Sequence, residues 1–578
     1  MMRDSRILRS LPRYLAICAA FFLISSACTA QTELSVELGF EGRLAPGHYA
    51  PILVEIHDYQ SAGVSRLRIT QLVGNEWRGE ATLQQELPQL IQASGRYEAV
   101  IPIYDPVNPI IIELLSTTGE VLATTTADLR GTMRPMPYPV LDKQLPRFDD
   151  RAAVVEPSSL PSQWWGFDSA ESLWIASPLP SETWTAISQW VLAGGSLVVL
   201  TGTNFYRMDS PTLRQLLPIL NPDVATTIEG TPYLSGTHAN ATIDMISDEG
   251  FPLLLHGSYG AGQVALVSVG AQSVSVEDLQ MIATHVSPAR LLTLEEPTEL
   301  ILGAQTVSAL DSLFVLLMIV VLGVLVCVCA VVGRRNARAG WSILLACGLA
   351  LTVSSGFVSF PMTRTIAVYI VNTRLYVQGS VTSVSVFSSF FSQTADPFVQ
   401  AHEEEILPLQ VLPRTLKGPN SSDFYTLSEK TRQQLLVGEM RRWHAYSTAS
   451  AVFDFELLSH ELVRINNYHP ADFDTALILI DGIVHPIANV RRGNHEYSLD
   501  PTTSNHLGSF LSTATGYTQS GAPTVQLVRA IKDALPLSTG TWLIALDTEV
   551  QLPTTDTPHK VRDITVVIAQ EEEGYREI

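Results

Sequence analysis

Nucleophilic and metal-ligating chemistry has few places to reside in this chain. The five cysteines are Cys18, Cys28, Cys327, Cys329 and Cys347, all within an N-terminal leader or two long apolar runs. The other segments therefore hold no thiol nucleophile, no disulfide and no cysteine metal site. A serine nucleophile on a strand-to-helix elbow needs Gly-x-Ser-x-Gly, so that the backbone can turn sharply beneath the hydroxyl. The nearest match, His256-Gly257-Ser258-Tyr259-Gly260, lacks the first glycine and runs into the β-rich Gln263-Val264-Ala265-Leu266-Val267-Ser268-Val269. It reads as a hairpin turn. Gly257, Gly260 and Gly262 fail as a phosphate cradle on the same ground, because the anion needs a helix N-terminus. Gly194-Gly195 reads as a helix terminator. Thirteen histidines are scattered, with no His-Glu-x-x-His and no calcium-loop pattern. His402-Glu403-Glu404-Glu405 and Glu571-Glu572-Glu573 read as solvated charge runs. Asp472 and Asp474 are close in sequence but define no pocket by themselves. No catalytic, cofactor-binding or metal-ligating residue is expected, and no cofactor.

With 578 residues the chain exceeds one hydrophobic core, and three or more folded units are expected. Charged residues make up 16% and hydrophobic ones 46%, a balance that suits a mixed soluble and membrane protein. A formal net charge of −21 excludes non-specific nucleic-acid binding.

The soluble elements follow from periodicity. Residues 31–134 carry short alternating runs, Leu34 to Leu38, Ile52 to Ile56, Arg66 to Ile69 and Tyr97 to Ile101, separated by turn residues. Half-buried strands at this spacing suggest a β-sandwich. Thr132 to Pro146 contains four prolines and reads as a linker. Residues 151–290 change character. Ala152 to Val155, Ser172 to Ala176, Ser196 to Leu200 and Gln263 to Val269 read as buried strands. Ser181 to Leu192 reads as a helix with Ser181 as its cap and Trp184, Ile187 and Val191 on one face. Strands alternating with helices imply a parallel sheet. Residues 363–578 read as a second β-rich domain, with one helical stretch at Ser428 to Arg442 and a hairpin turn at Asp481-Gly482.

Three segments point to a membrane. Residues 1–30 have the order of a secretory signal: Arg3, Arg6, Arg9 and Arg13, an apolar run from Tyr14 to Ile24, then small residues. Cleavage after Ala27 or Ala30, acylation of Cys28, or retention as an anchor all remain open. Ser312 to Gly333 and Trp341 to Pro361 are charge-free and long enough to span, forming a hairpin over 312–361. Their connector carries Arg334, Arg335 and Arg338 and no acid, which places it in the cytoplasm. The expected location is thus a membrane with both large regions outside the cytoplasm. Two spans without an internal ionisable residue offer no transport path.

Leu160 to Asp168, the run from Ser172 to Gly202, and Ser258 to Val264 together resemble a class I glutamine amidotransferase-like domain. The version it is similar to occurs in bacterial membrane proteins that begin with a sandwich bearing Pro-Gly-x-aromatic-x-Pro, here Pro46-Gly47-His48-Tyr49-Ala50-Pro51. The resemblance covers roughly residues 33–365. It implies a bacterial inner membrane as the location and a flavodoxin-like α/β fold for residues 151–290. It also implies partners among other membrane or envelope proteins, including von Willebrand A-domain proteins, whose genes accompany such proteins beside a MoxR-type ATPase. Without the cysteine nucleophile the amidotransferase reaction is closed to this domain. The expected function is a non-catalytic envelope scaffold or interaction protein. The alternative is an extracytoplasmic hydrolase or carbohydrate-binding protein, with Trp164, Trp165, Trp174, Trp184 and Trp190 lining a sugar cleft.

Overall fold

The structure is a computed structural model that describes residues 32–291 and 369–570, apart from internal segments such as 130–136, 401–408, 414–425 and 514–526. The expected signal and both expected spans lie outside the described residues, as does His402 to Glu405.

The first unit consists of β1 (Glu33–Leu38), β2 (Tyr49–His57), β3 (Ser65–Asn75), β4 (Gly79–Ile91), β5 (Gly95–Pro102), β6 (Ile110–Leu115) and β7 (Val121–Ala127). They form two antiparallel sheets, ordered β1-β2-β5 and β4-β3-β6-β7, and strand Leu409–Pro413 extends the second along β4. Alternation explains the packing. Ile52, Val54 and Ile56 of β2 all point inward and meet Leu67, Ile69 and Ile112 of the other sheet.

The second unit adds β8 (Tyr138–Asp142), β9 (Ala153–Val155), β10 (Ala170–Ile175), helix α1 (Ser181–Leu192) and β11 (Ser196–Leu200). Two short helices, Phe205–Met208 and Pro211–Leu216, precede β12 (Ile219–Thr226), β13 (Pro232–His238), β14 (Thr242–Ile246), β15 (Pro252–Tyr259) and β16 (Gly262–Val267). Helix α2 (Val276–His285) closes the unit. One seven-stranded sheet runs in the order β14-β15-β16-β11-β10-β8-β9, while β12 and β13 pair only with each other. The five strands from β16 to β9 are parallel, and β14 and β15 are antiparallel additions.

This corrects the flavodoxin-like expectation. A doubly wound fold places a helix after each parallel strand. Here β8 reaches β9 without one, and hairpins fill much of the path from β11 to β16. Across the described residues strands dominate and helices are few. The linker reading of Thr132 to Pro146 is also corrected, because β8 is buried at every position and pairs with both β9 and β10. The prolines misled: Pro139 sits inside that strand, opposite Ser172 at an irregular register.

The remaining described residues build an eight-stranded sheet and two three-stranded sheets. Tyr369–Gln378 pairs in parallel with Lys560–Gln570, and the other neighbours are antiparallel. Asp481 and Gly482 have φ of 47° and 77° and join Phe473–Ile480 to Ile483–Val490. The helix expected at Ser428 to Arg442 is absent where described, since Lys430–Gln434 is a strand. Among the described residues no helix is long and apolar enough to cross a membrane. Against the expected inner-membrane protein with a two-helix hairpin, the described architecture is β-sheet without a spanning helix, while residues 312–361 themselves lie outside the described residues.

Candidate functional site

In open sheets with parallel strands, ligands bind beyond the carboxyl ends, where consecutive strands leave in opposite directions. That switch point lies between β8 and β10, because β9 continues to one side of β8 and β10 to the other. Asp142 ends β8 here, 1% exposed. Its Oδ2 accepts the Ala176 N–H at 3.1 Å and its Oδ1 accepts the Gln144 N–H at 3.0 Å. Both carboxylate oxygens thus tie main chain to main chain across the switch. Beside it, Asn204 Nδ2 donates to the Ala176 carbonyl at 3.3 Å, and Thr201 Oγ1 donates to the Val267 carbonyl at 3.2 Å. Ser177 is 4% exposed, and among the described residues its Oγ has no partner. A serine needs a neighbouring base to attack, and none touches it.

A second polar line crosses the other end of the sheet. Asp244 Oδ2 lies 2.6 Å from His256 Nδ1, and His256 Nε2 lies 3.0 Å from Gln263 Oε1. Gln263 Nε2 donates to Ser196 Oγ at 3.0 Å and to the Ser287 carbonyl. A carbonyl only accepts, so Gln263 Nε2 faces the Ser287 carbonyl and the amide oxygen faces the imidazole. An acid, a histidine and a serine stand in line, but an amide separates the last two. Gln263 cannot take the serine proton, so the line orders the strands without activating a nucleophile. The sequence offered no signal for it. Strand register assembles it, with Ser196 opposite Gln263 and Thr242 opposite His256.

The third cluster joins the two units. Asp168, 7% exposed, accepts the Tyr49 N–H at 2.8 Å, and the same oxygen lies 3.4 Å from His48 Nδ1. The hydrogen bond to Asp168 raises the His48 pKa above 6.5 and outweighs the opposing effect of burial. Tyr138 Oη donates to the Arg43 carbonyl at 2.5 Å, and Arg147 pairs with Glu41 at 2.7 Å. Glu98 accepts the Ser162 N–H at 2.8 Å; burial raises its pKa above 4.5 despite that bond. The two recognised turn segments, His48-Tyr49 and Trp164 to Asp168, are therefore opposite halves of one clasp.

The remaining sequence candidates resolve into structure. His256 to Gly260 lies in β15 and the turn into antiparallel β16, a hairpin. Gly194 ends α1 at φ +121°, and a Cβ on Gly195 would meet the Trp190 ring at 2.4 Å. Trp164, Trp174, Trp184 and Trp190 are core residues at 0–1% exposure, so they line no cleft, and Trp165 only flanks that core. Asp472 accepts the Arg492 N–H in an exposed turn, while the side chain of Asp474 lies outside the described residues. No group of three or more metal-ligating side chains gathers among the described residues.

No family model matches the chain, and no curated protein matches it. Among solved structures, an exo-β-1,4-mannosidase from Opitutaceae bacterium strain TAV5 is similar at 16% identity with a TM-score of 0.17. The match covers 26% of this chain and 34% of that one, so the chain spans about a third of the enzyme it matches. A likeness of this size carries no weight for fold or activity.

Proposed function

We propose that this chain is a non-catalytic binding protein whose partners are proteins, with von Willebrand A-domain proteins the candidates that the resemblance implies. The observation that carries the reading is the position of Asp142. It occupies the switch point where a parallel sheet would offer a functional group, and both its oxygens hold backbone N–H groups. The same holds at the other end of the sheet, where Gln263 fills the place between histidine and serine. The clasp at Asp168 supports a docking role as well. It fixes the sandwich against the sheet through two half-buried bonds and a more exposed one at Ser162, which gives a wide surface of constant shape.

The test pairs binding with turnover on the purified full chain. Saturable binding to a purified von Willebrand A-domain protein, without turnover of glutamine or aryl glycosides, is expected. Turnover of either substrate that is abolished by Asp142→Asn without loss of fold would refute the reading.

A further inference from the structure

Two β-hairpin tips stand side by side on the second unit and are built alike. In the β12–β13 turn, Thr227 N–H donates to the Thr231 carbonyl at 3.0 Å and Gly230 N–H to the Thr227 carbonyl at 3.1 Å. In the β14–β15 turn, Ser247 N–H donates to the Phe251 carbonyl at 2.9 Å and Gly250 N–H to the Ser247 carbonyl at 2.9 Å. Gly230 and Gly250 take φ of +92° and +87°, the left-handed position such loops require. Thr231 Oγ1 donates to Glu249 Oε1 at 3.1 Å, and Tyr233 stacks on Phe251 with ring centroids 4.6 Å apart. The tips are therefore locked together from beneath.

Their outward side chains are of two kinds. Ile228 is 106% exposed and Ile246 is 65% exposed. Glu229, Asp248 and Glu249 lie within three residues of them in the same two turns and are exposed. No lysine or arginine occurs anywhere between Arg214 and Arg290, a stretch with seven acidic residues. A soluble surface normally intersperses both signs and keeps large aliphatic groups away from loop tips. Here two exposed isoleucines sit on hairpins whose own charged side chains are all acidic.

We infer that the twin tips are a docking site for a cationic amphipathic protein segment, in which lysine or arginine flanks an aliphatic side chain. The inference rests on the binding-protein reading and names the surface and the partner chemistry. The acidic side chains of the two tips select the occupant. An anionic lipid surface is repelled by them, and so is a second copy of the same tips. The isoleucines supply apolar area at the centre, and the carboxylates supply steering and orientation at the rim.

The experiment titrates the purified full chain into a labelled peptide of alternating lysine and leucine. Glutamate–leucine and lysine–serine peptides serve as controls. Saturable binding of the first peptide alone is expected. Changing Ile228→Ser and Ile246→Ser together should weaken it about tenfold or more. Glu229→Lys with Asp248→Lys should weaken it similarly, and added salt should weaken the original protein. Glu33→Lys with Glu37→Lys, the same charge change on exposed β1 positions, should leave binding intact. Equal loss from both charge pairs would overturn the site, because bulk acidity would then explain the binding. Absence of lysine–leucine binding, or binding of phosphatidylserine vesicles that the isoleucine changes abolish, would overturn it as well. Glutamine or glycoside turnover by the same sample bears only on the non-catalytic reading, so the two can fail separately.

Discussion

Replacing Asp142 tests whether the switch point is a structural tie or a reactive group. Asp142→Ala leaves two N–H groups, of buried Ala176 and of Gln144, without their acceptor. A hydrogen bond to a charged group is worth about 1.5–3 kcal/mol, and a stranded buried donor costs about 1–3 kcal/mol. With one donor fully buried and the other on exposed Gln144, which water can reach, a loss of about 2–4 kcal/mol follows. Asp142→Asn keeps one acceptor and turns an amide N–H toward the other donor, so about half of that loss is expected. Urea unfolding followed by tryptophan fluorescence reads this unit directly, since Trp164, Trp174, Trp184 and Trp190 are all buried in it. At an m-value of about 2–3 kcal/mol per molar, the alanine midpoint should fall by roughly 1–2 M. A shift below about 0.3 M for alanine, or equal shifts for both variants, would refute the tie.

Further outcomes follow from the same contacts. Trp190→Phe should cost less than about 1.5 kcal/mol, far below the ~3–5 kcal/mol of Trp190→Ala, because among the described residues the buried indole N–H has no acceptor. Paired denaturation curves would show it. Gly262→Ala should destabilise by about 1–3 kcal/mol, since its Cβ would lie 2.1 Å from the Val191 carbonyl oxygen and 2.3 Å from that of Gly195, both main-chain atoms. Thermal melts would detect it. The clasp should weaken with rising pH. The folded pKa of His48 is raised, so its contribution is full below 6.5 and lost as pH climbs through the folded value. Glu98 is raised as well, so its contribution is lost as pH climbs from 4.5 through its own folded value. His48→Ala should flatten the stability profile near neutrality and Glu98→Gln the one in mild acid. An unchanged slope in either variant would count against that residue.

Local signals were legible where one residue type forces one conformation. The helix Ser181–Leu192 and strand Ser196–Leu200 lie at the residues that periodicity assigned. The Asp481-Gly482 turn appears because those two residues tolerate positive φ. Reading failed where tertiary context overrode composition. A proline-rich stretch became β8 because burial between two neighbours compensates for a missing N–H. Helix-like polarity in Lys430 to Gln434 was overridden by pairing with Phe398–Gln400. The flavodoxin-like expectation failed for a related reason. Strand order and hairpin insertions are long-range properties, and the same apolar runs serve a mixed sheet equally well. Neither the Asp168 clasp nor the Asp244 line could be read beforehand, since each joins groups that only register or docking brings together.

The parallel pairing of Tyr369–Gln378 with Lys560–Gln570 also dictates when this region can fold. Lys560–Gln570 is the fourth strand of eight, with Thr541–Gln551 on its other side. The ribosome must therefore release residue 570 before the sheet has a middle, and until then its two halves are separate pieces with open edges. Closure brings together residues from opposite ends of the region, a slow search with a high loop-closure cost. During synthesis, exposed edges of Tyr369–Gln378 and Phe473–Ile480 would be open to mispairing with neighbouring nascent chains. Chaperone dependence should accordingly concentrate in this region, and cutting translation short by a single strand should release aggregating material in place of a smaller folded domain.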